Sequence, residues 1–201
     1  MKNLLSTFLV LIITYNTLSA QTNDSTKILD RFFMSSIQLG YINNRSEQLS
    51  AGLFIQASAE YRTPKGLFVR VNFDDFNSNY ELRYPQGTIN FLSGRVAFNE
   101  LIGGLGYRYA YKKHNFLIAL QSGIRFYGYP FIESSGSNLS VDTDNRTIGV
   151  FKYSIGYEYA IDIKSLVVVE LFSSNVFEKK DFWEDHNGAF GFTVGINRTI
   201  F

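Results

Sequence analysis

From about residue 32 to the end of the chain, apolar residues alternate with small or polar ones, and this period of two predicts half-buried β-strands. The last stretch, AFGFTVGINRTIF (189–201), is the clearest example. Its apolar face holds Phe190, Phe192, Val194, Ile196 and Ile200. The same alternation recurs at 32–42, 49–61, 67–74, 116–126 and 151–159. We therefore expect an all-β chain in which each strand has one apolar face.

The connections between these strands alternate in length. Short turns are expected at 62–66, 112–115 and 162–165, and Pro64 with Gly66 suits the first of them. Longer polar loops are expected at 43–48, 77–87, 132–146 and 175–188. Three short turns and four long loops connect eight strands, and this asymmetry is typical of a transmembrane β-barrel with short periplasmic turns and long external loops.

The stretch 88–111 is about twice as long as the roughly 9–11 residues that a membrane strand needs. We interpret 99–111 as the membrane part and 88–98 as its continuation above the bilayer. The apolar phase changes between Val96-Phe98 and Leu101-Leu105, which suggests a β-bulge near Asn99. An additional hairpin, giving ten strands, is the alternative.

The N-terminus has the pattern of a cleaved secretory signal peptide. Lys2 precedes an apolar run from Leu4 to Ile13, and Leu18-Ser19-Ala20 provides a small residue before Gln21. We expect a signal peptide at 1–20, a periplasmic lead-in at 21–31 and one barrel domain at 32–201. The chain has no cysteine, so it forms no disulfide.

Charge excludes one class of partner. The chain has 19 basic and 18 acidic side chains, and removal of 1–20 takes away one lysine, which leaves 18 of each. Without a basic excess, nucleic-acid binding is not expected.

A soluble, lipocalin-like barrel would show the same alternation with its apolar face inward. Two features favour the inverted arrangement of a membrane barrel. Aromatic residues flank the short turns, as in an interfacial girdle; they are Tyr61, Tyr107, Tyr109, Tyr111, Phe116, Tyr157 and Tyr159. The polar faces carry four acids and four bases, which would neutralise one another inside a narrow, filled lumen; they are Glu60, Arg70, Asp74, Arg108, Arg125, Lys152, Glu158 and Glu170.

The chain resembles small outer-membrane β-barrel proteins of Gram-negative bacteria, of the OmpA/OmpX-like type. The resemblance covers roughly 30–201 and rests on the signal peptide, the alternating strands, the GLGYRYAYKKHNF hairpin (104–116) and the terminal Phe201. Aromatic residues usually occupy the last and third-last positions of that family, but the third-last residue here is Thr199. The resemblance implies an antiparallel up-and-down barrel in the outer membrane, surrounded by lipid and inserted by the outer-membrane assembly machinery.

The sequence offers few candidates for chemistry. The loop around Trp183, Glu184, Asp185 and His186 combines the one tryptophan with acids and a histidine, and could contact a ligand at a solvated loop tip. Ser173 and Ser174 precede this loop, but no His-x-Ser motif of the kind that we associate with outer-membrane lipid A deacylases is present. Asp142-Thr143-Asp144-Asn145 lacks the glycine and the twelfth-position acid of a calcium loop.

We therefore expect no catalytic residues, metal or cofactor, and a non-enzymatic barrel that is structural or binds through its extracellular loops. A lipid-modifying outer-membrane enzyme and a soluble secreted carrier are the alternatives. The sequence identifies no extracellular ligand.

Overall fold

The computed structural model of the chain describes residues 31–83, 91–135, 138–162, 164–184, 186 and 188–199. The expected signal peptide, most of the lead-in and the terminal Phe201 lie outside these residues. Within the described residues, eight strands follow one another. They are β1 (Arg31–Asn44), β2 (Gly52–Arg62), β3 (Leu67–Arg83), β4 (Phe91–Tyr111), β5 (His114–Ser135), β6 (Asn138–Ala160), β7 (Ser165–Val176) and β8 (Gly188–Thr199).

Each strand pairs antiparallel with the next, and β8 pairs with β1 to close the barrel. The number of strands is eight, and the ten-strand alternative is wrong because 91–111 forms the single strand β4. Among the described residues, no helix is long and apolar enough to cross a membrane.

The apolar faces of the strands point outward. On β2 and β3, for example, Leu53 and Phe73 are exposed while Gln56 and Asp74 are buried in the barrel. The exposed apolar residues of the barrel wall include Leu39, Val69, Val71, Leu101, Leu105, Ile118, Leu120, Ile124, Ile155, Leu171, Phe192 and Val194. A band of this kind needs hydrocarbon around it, so the soluble-carrier alternative is excluded.

The short turns lie at 63–66, 112–113 and 161–164, between β2 and β3, β4 and β5, and β6 and β7. In the first, Gly66 takes a positive φ of 87°, and a Cβ there would clash with the backbone oxygen of Arg108. Only glycine therefore fits at this corner.

The irregularity that was predicted near Asn99 is absent, and an irregularity that was not predicted lies in β1. The register of β3 and β4 is continuous past Asn99, so there is no bulge there. The apolar phase changes because Val96 and Phe98 pack inside the barrel, whereas Leu101 and Leu105 face outward in the same strand. The register of β1 shifts instead between Ser35 and Gln38.

The shift in β1 changes which residues face inward. Regular alternation along 32–42 would place Phe33 on the outer face with Ile37. Phe33 is buried inside instead, since the extra residue reverses the phase between them. Regular alternation along 49–61 would likewise place Leu49 on the outer face, but Leu49 precedes β2 and is buried beside Tyr80.

The strands also extend beyond the wall of the barrel. The expected loops at 77–87 and 132–146 are largely strand, because β3 continues to Arg83 and β5 and β6 pair as far as Ser135 and Asn138. The last pair between β4 and β5 is Phe98 with Tyr127, so the hairpins β3–β4 and β5–β6 separate above this level. Two β-hairpins therefore project on the extracellular side.

Candidate functional site

The lumen contains two layers of buried ion pairs. In the layer near the short turns, the periplasmic charge layer, both terminal guanidinium nitrogens of Arg62 donate to Glu158, at 2.9 and 2.6 Å. Its Nε donates to Glu60. Arg70 then joins Glu60 to Glu170, at 2.7 and 2.6 Å. Five charges thus form one continuous chain across the lumen.

The extracellular charge layer lies farther up the same lumen. The Nζ atom of Lys152 donates to the Oδ2 atom of Asp74 at 2.6 Å, and Arg125 pairs with Glu100. All four side chains are buried. Charges placed in such an interior need close partners, because an unpaired ion would lose its hydration without compensation.

The eight residues that the sequence suggested for a lumen network all have buried side chains in the barrel interior. Two members of the network were missed. Arg62 was assigned to a turn, although it is the last residue of β2 and points inward. Glu100 lies in the stretch where the expected bulge obscured the phase, and strict alternation from Phe98 would have found it. With both included, five acids and five bases balance one another.

The residues suggested for an aromatic girdle lie on the outer surface close to the short turns. Tyr61, Tyr109, Tyr111, Phe116 and Tyr159 are exposed, and Tyr107 and Tyr157 are partly exposed. The Nδ1 atom of His114 lies 2.6 Å from the hydroxyl of Tyr157, and its ring also contacts Tyr159. His114 thus packs among these aromatic rings at the membrane boundary.

The extracellular mouth of the barrel is closed by side chains from the loop between β7 and β8. A 3-10 turn, Asp181–Trp183, inserts Phe182 and Trp183 against Phe98 and Tyr127. Trp183 is fully buried. We call Phe76, Phe98, Tyr127, Phe182 and Trp183 the aromatic cap.

Polar contacts hold the aromatic cap in place. The hydroxyl of Tyr127 donates to Asp181 at 2.7 Å, and the hydroxyl of Ser46 donates to the carbonyl oxygen of Phe182. The guanidinium of Arg125 lies 4.9 Å from the ring centre of Trp183, a cation–π distance. The cap is therefore tied both to the extracellular charge layer and to the loop between β1 and β2.

The location of Trp183 corrects the expectation of a tryptophan at a solvated loop tip. The indole is drawn into the barrel because the lumen above the charge layers is apolar and aromatic. Glu184 and His186 are exposed, and Asp185 lies outside the described residues. No sequence periodicity could have revealed this insertion, since it depends on a loop folding back into the mouth.

The structure gives no support for a serine–histidine pair. Ser173 and Ser174 are buried in β7, opposite Phe190 and Ala189 of β8, whereas His186 is exposed. Among the described residues, no group of three or more histidine and acidic side chains could hold a metal ion.

No protein-family model and no curated protein matches the sequence. The structure is similar to that of neisserial surface protein A, NspA, with a TM-score of 0.58 and 12% identity over 84% of this chain and 97% of that one. It is also similar to Ail, the attachment invasion locus protein of Yersinia pestis, in complex with the heparin analogue sucrose octasulfate. That comparison has a TM-score of 0.51 and 11% identity, over 85% of this chain and 99% of Ail.

At sequence identities of 12% and 11%, the structural similarity to these two proteins shows a shared fold and does not show a shared function. The chain has the fold of the small eight-stranded outer-membrane β-barrel proteins of Gram-negative bacteria. This fold and the apolar outer wall assign it to the outer membrane.

Proposed function

We propose that this chain is a non-enzymatic outer-membrane protein that binds an extracellular protein partner through the open edge of β6. The observation that carries the proposal is the projecting hairpin β5–β6. Residues 138–149 of β6 pair with β5 on one side, and on the other side no strand of the described residues pairs with them. An open strand edge can accept an additional strand from another protein.

The direction of the free backbone groups follows from one hydrogen bond. The backbone N–H of Phe177 donates to the carbonyl oxygen of Gly149 at 2.9 Å, so Gly149 faces away from β5. Because strand residues alternate in direction, Val141, Thr143 and Asn145 also direct their N–H and C=O groups to the open edge. Every residue from 141 to 145 is exposed.

The other side of the same hairpin is less suited to strand addition. Pro130 of β5 lies opposite Thr143 of β6. Because the backbone groups of Thr143 point away from β5, the backbone of Pro130 points away from β6, into the gap toward β4. Proline has no N–H to donate, and it is commonly found on protected edges. The outer edge of β6 has no proline between 138 and 149. A partner strand would therefore add to β6 and not to β5.

The charges of the extracellular part favour a protein partner over a sulfated glycan. Among the described residues of the extracellular part, acidic side chains outnumber basic ones by eight to six. This part comprises 45–51, 77–83, 91–97, 128–149 and 177–186. The acids are Glu47, Glu81, Glu133, Asp142, Asp144, Glu178, Asp181 and Glu184, and the bases are Arg45, Arg83, Arg95, Arg146, Lys179 and Lys180. A polyanion such as heparin would meet net repulsion.

The names of the similar proteins agree with a binding role. One is a surface protein and the other an attachment protein. The closed lumen also supports binding at the surface over transport, since the charge layers and the aromatic cap fill the interior.

The substitution Thr143→Pro tests the proposal, because it removes an N–H from the open edge and no N–H from the β5–β6 ladder. Cells that display the barrel would be tested for adhesion to immobilised collagen, fibronectin and heparin. We expect adhesion to a protein surface, a loss of about tenfold or more with T143P, and wild-type adhesion with T143A.

A heat-modifiable gel band shows that both variants are folded. Adhesion that T143P leaves unchanged, adhesion to heparin alone, or adhesion to none of the surfaces would contradict the proposal.

A further inference from the structure

The outer wall of the barrel has a groove of about 870 Å³ at the seam between β1 and β8. This volume lies within the range of about 300–1,000 Å³ for small-molecule sites. The residues that line it are Met34, Ile37, Leu39, Lys164, Val194, Gly195, Ile196, Arg198 and Thr199. The groove thus combines an apolar floor with two basic side chains.

The groove lies at the irregularity in the pairing of β1 with β8. Met34 is opposite Arg198, and the next pair is Gln38 with Gly195. Three residues of β1 therefore face two residues of β8, and the extra residue interrupts the ladder. Ile37 of β1 and Ile196 of β8 lie within this interruption, and their exposed apolar side chains line the groove.

Both basic residues lie at the periplasmic end of the groove. Lys164 belongs to the short turn between β6 and β7, and its carbonyl oxygen accepts a hydrogen bond from Thr199 N at 2.8 Å. Arg198 is opposite Ser165, the first residue of β7. The two cations are therefore at the height of the lipid headgroups, below the hydrocarbon that surrounds the barrel wall.

One carboxylate faces these cations. Asp162 accepts hydrogen bonds from the backbone N–H groups of Lys164 and Ser165, at 2.6 and 2.8 Å. The N–H of Lys164 lowers the pKa of Asp162, and the charge of Arg198 also contributes. Among the described residues, no ion pair within 4.0 Å joins Lys164 or Arg198 to an acid. The end of the groove therefore keeps an excess of positive charge.

We propose that this groove binds a phospholipid of the periplasmic leaflet, with an acyl chain between β1 and β8 and the phosphate beside Lys164 and Arg198. The groove opens into hydrocarbon, so an acyl chain is the occupant that its walls favour. Guanidinium and ammonium groups are strong donors to phosphate oxygens. The bound lipid fills the outer surface where the bulge interrupts the strand pairing.

Native mass spectrometry of the barrel, purified in detergent with phosphatidylglycerol, tests this inference. We expect the wild type to retain one phosphatidylglycerol more strongly than a galactosyl diacylglycerol, which has no phosphate. The double variant K164Q/R198Q should retain phosphatidylglycerol about 25-fold less, since each cation near an anionic lipid contributes about a factor of five.

The matched control is K112Q/K113Q, which removes two exposed lysines from the turn between β4 and β5 on the same side of the membrane. This variant should keep the lipid. Equal retention by wild type and K164Q/R198Q, equal retention of the two lipids, or equal loss in the control would overturn the proposal.

A photo-crosslinking measurement identifies the occupant in the native outer membrane. A benzophenone amino acid at Ile37 should form a phospholipid adduct, and K164Q/R198Q should reduce its yield relative to the same probe at Leu120, another exposed wall residue. A cross-link to the N-terminal residues of the same chain or to a second copy would show a different occupant and overturn the proposal.

Discussion

A buried carboxylate lies at one end of the periplasmic charge layer and pairs there with a buried arginine. Glu158 is fully buried, accepts two hydrogen bonds from Arg62, and also accepts one from Asn197 at 3.2 Å. The sequence predicted an inward Glu158 because the alternation of β6 is regular. It did not predict the partner, since Arg62 comes from a distant strand and its location at the end of β2 suggested a turn.

The substitution Glu158→Ala should lower the free energy of unfolding by about 3–5 kcal/mol, because Arg62 would remain buried without its main counter-ion. Urea unfolding in detergent micelles measures the loss. Glu81→Ala is the control, since the Arg83–Glu81 pair is largely exposed and such pairs contribute at most about 1 kcal/mol. Losses of equal size in the two variants would contradict this account of the lumen.

At the scale of single elements, the sequence predicted the inward or outward direction of side chains correctly where a whole segment lies between lipid and lumen. Residues 67–74 of β3 alternate between lipid and lumen, and the structure has the same phase. In β4 two environments follow one another, so Val96 and Phe98 point inward while Leu101 points outward. A pattern of apolar residues alone cannot distinguish an aromatic interior from a lipid-facing exterior.

The loop between β7 and β8 could not be predicted for a related reason. Its structure depends on the apolar lumen into which Phe182 and Trp183 insert, and that lumen is built from residues of all eight strands. Polar residues around Trp183 in the sequence suggested solvent. The burial of two large rings outweighs that local preference.

The aromatic cap should therefore contribute strongly to stability. Trp183→Ala removes a fully buried ring and should lower the free energy of unfolding by about 3–5 kcal/mol. Phe91→Ala, at an exposed aromatic residue on the same extracellular side, should change it by less than about 0.5 kcal/mol. Urea unfolding, monitored by tyrosine fluorescence, measures the free energy of unfolding of both variants. A small effect of W183A would show that the cap is not packed as described.

For the whole molecule, closure of the barrel decides what the lumen can do. An eight-stranded barrel is only wide enough for its own side chains. Here the periplasmic layer, the extracellular layer and the aromatic cap lie one above another along the same axis. We expect each of them to block the passage of a hydrated ion.

The protein should consequently show no discrete ion conductance in planar bilayers. The W183A variant should also remain silent, because the chain of ion pairs from Arg62 to Glu170 still spans the lumen when the cap is opened. A trimeric porin, added to the same bilayer, shows that the recording can detect a channel. Conductance steps from the wild type would mean that the charge layers separate in the membrane. Steps from W183A alone would mean that the cap is the only barrier, and that the paired charges below it do not fill the lumen.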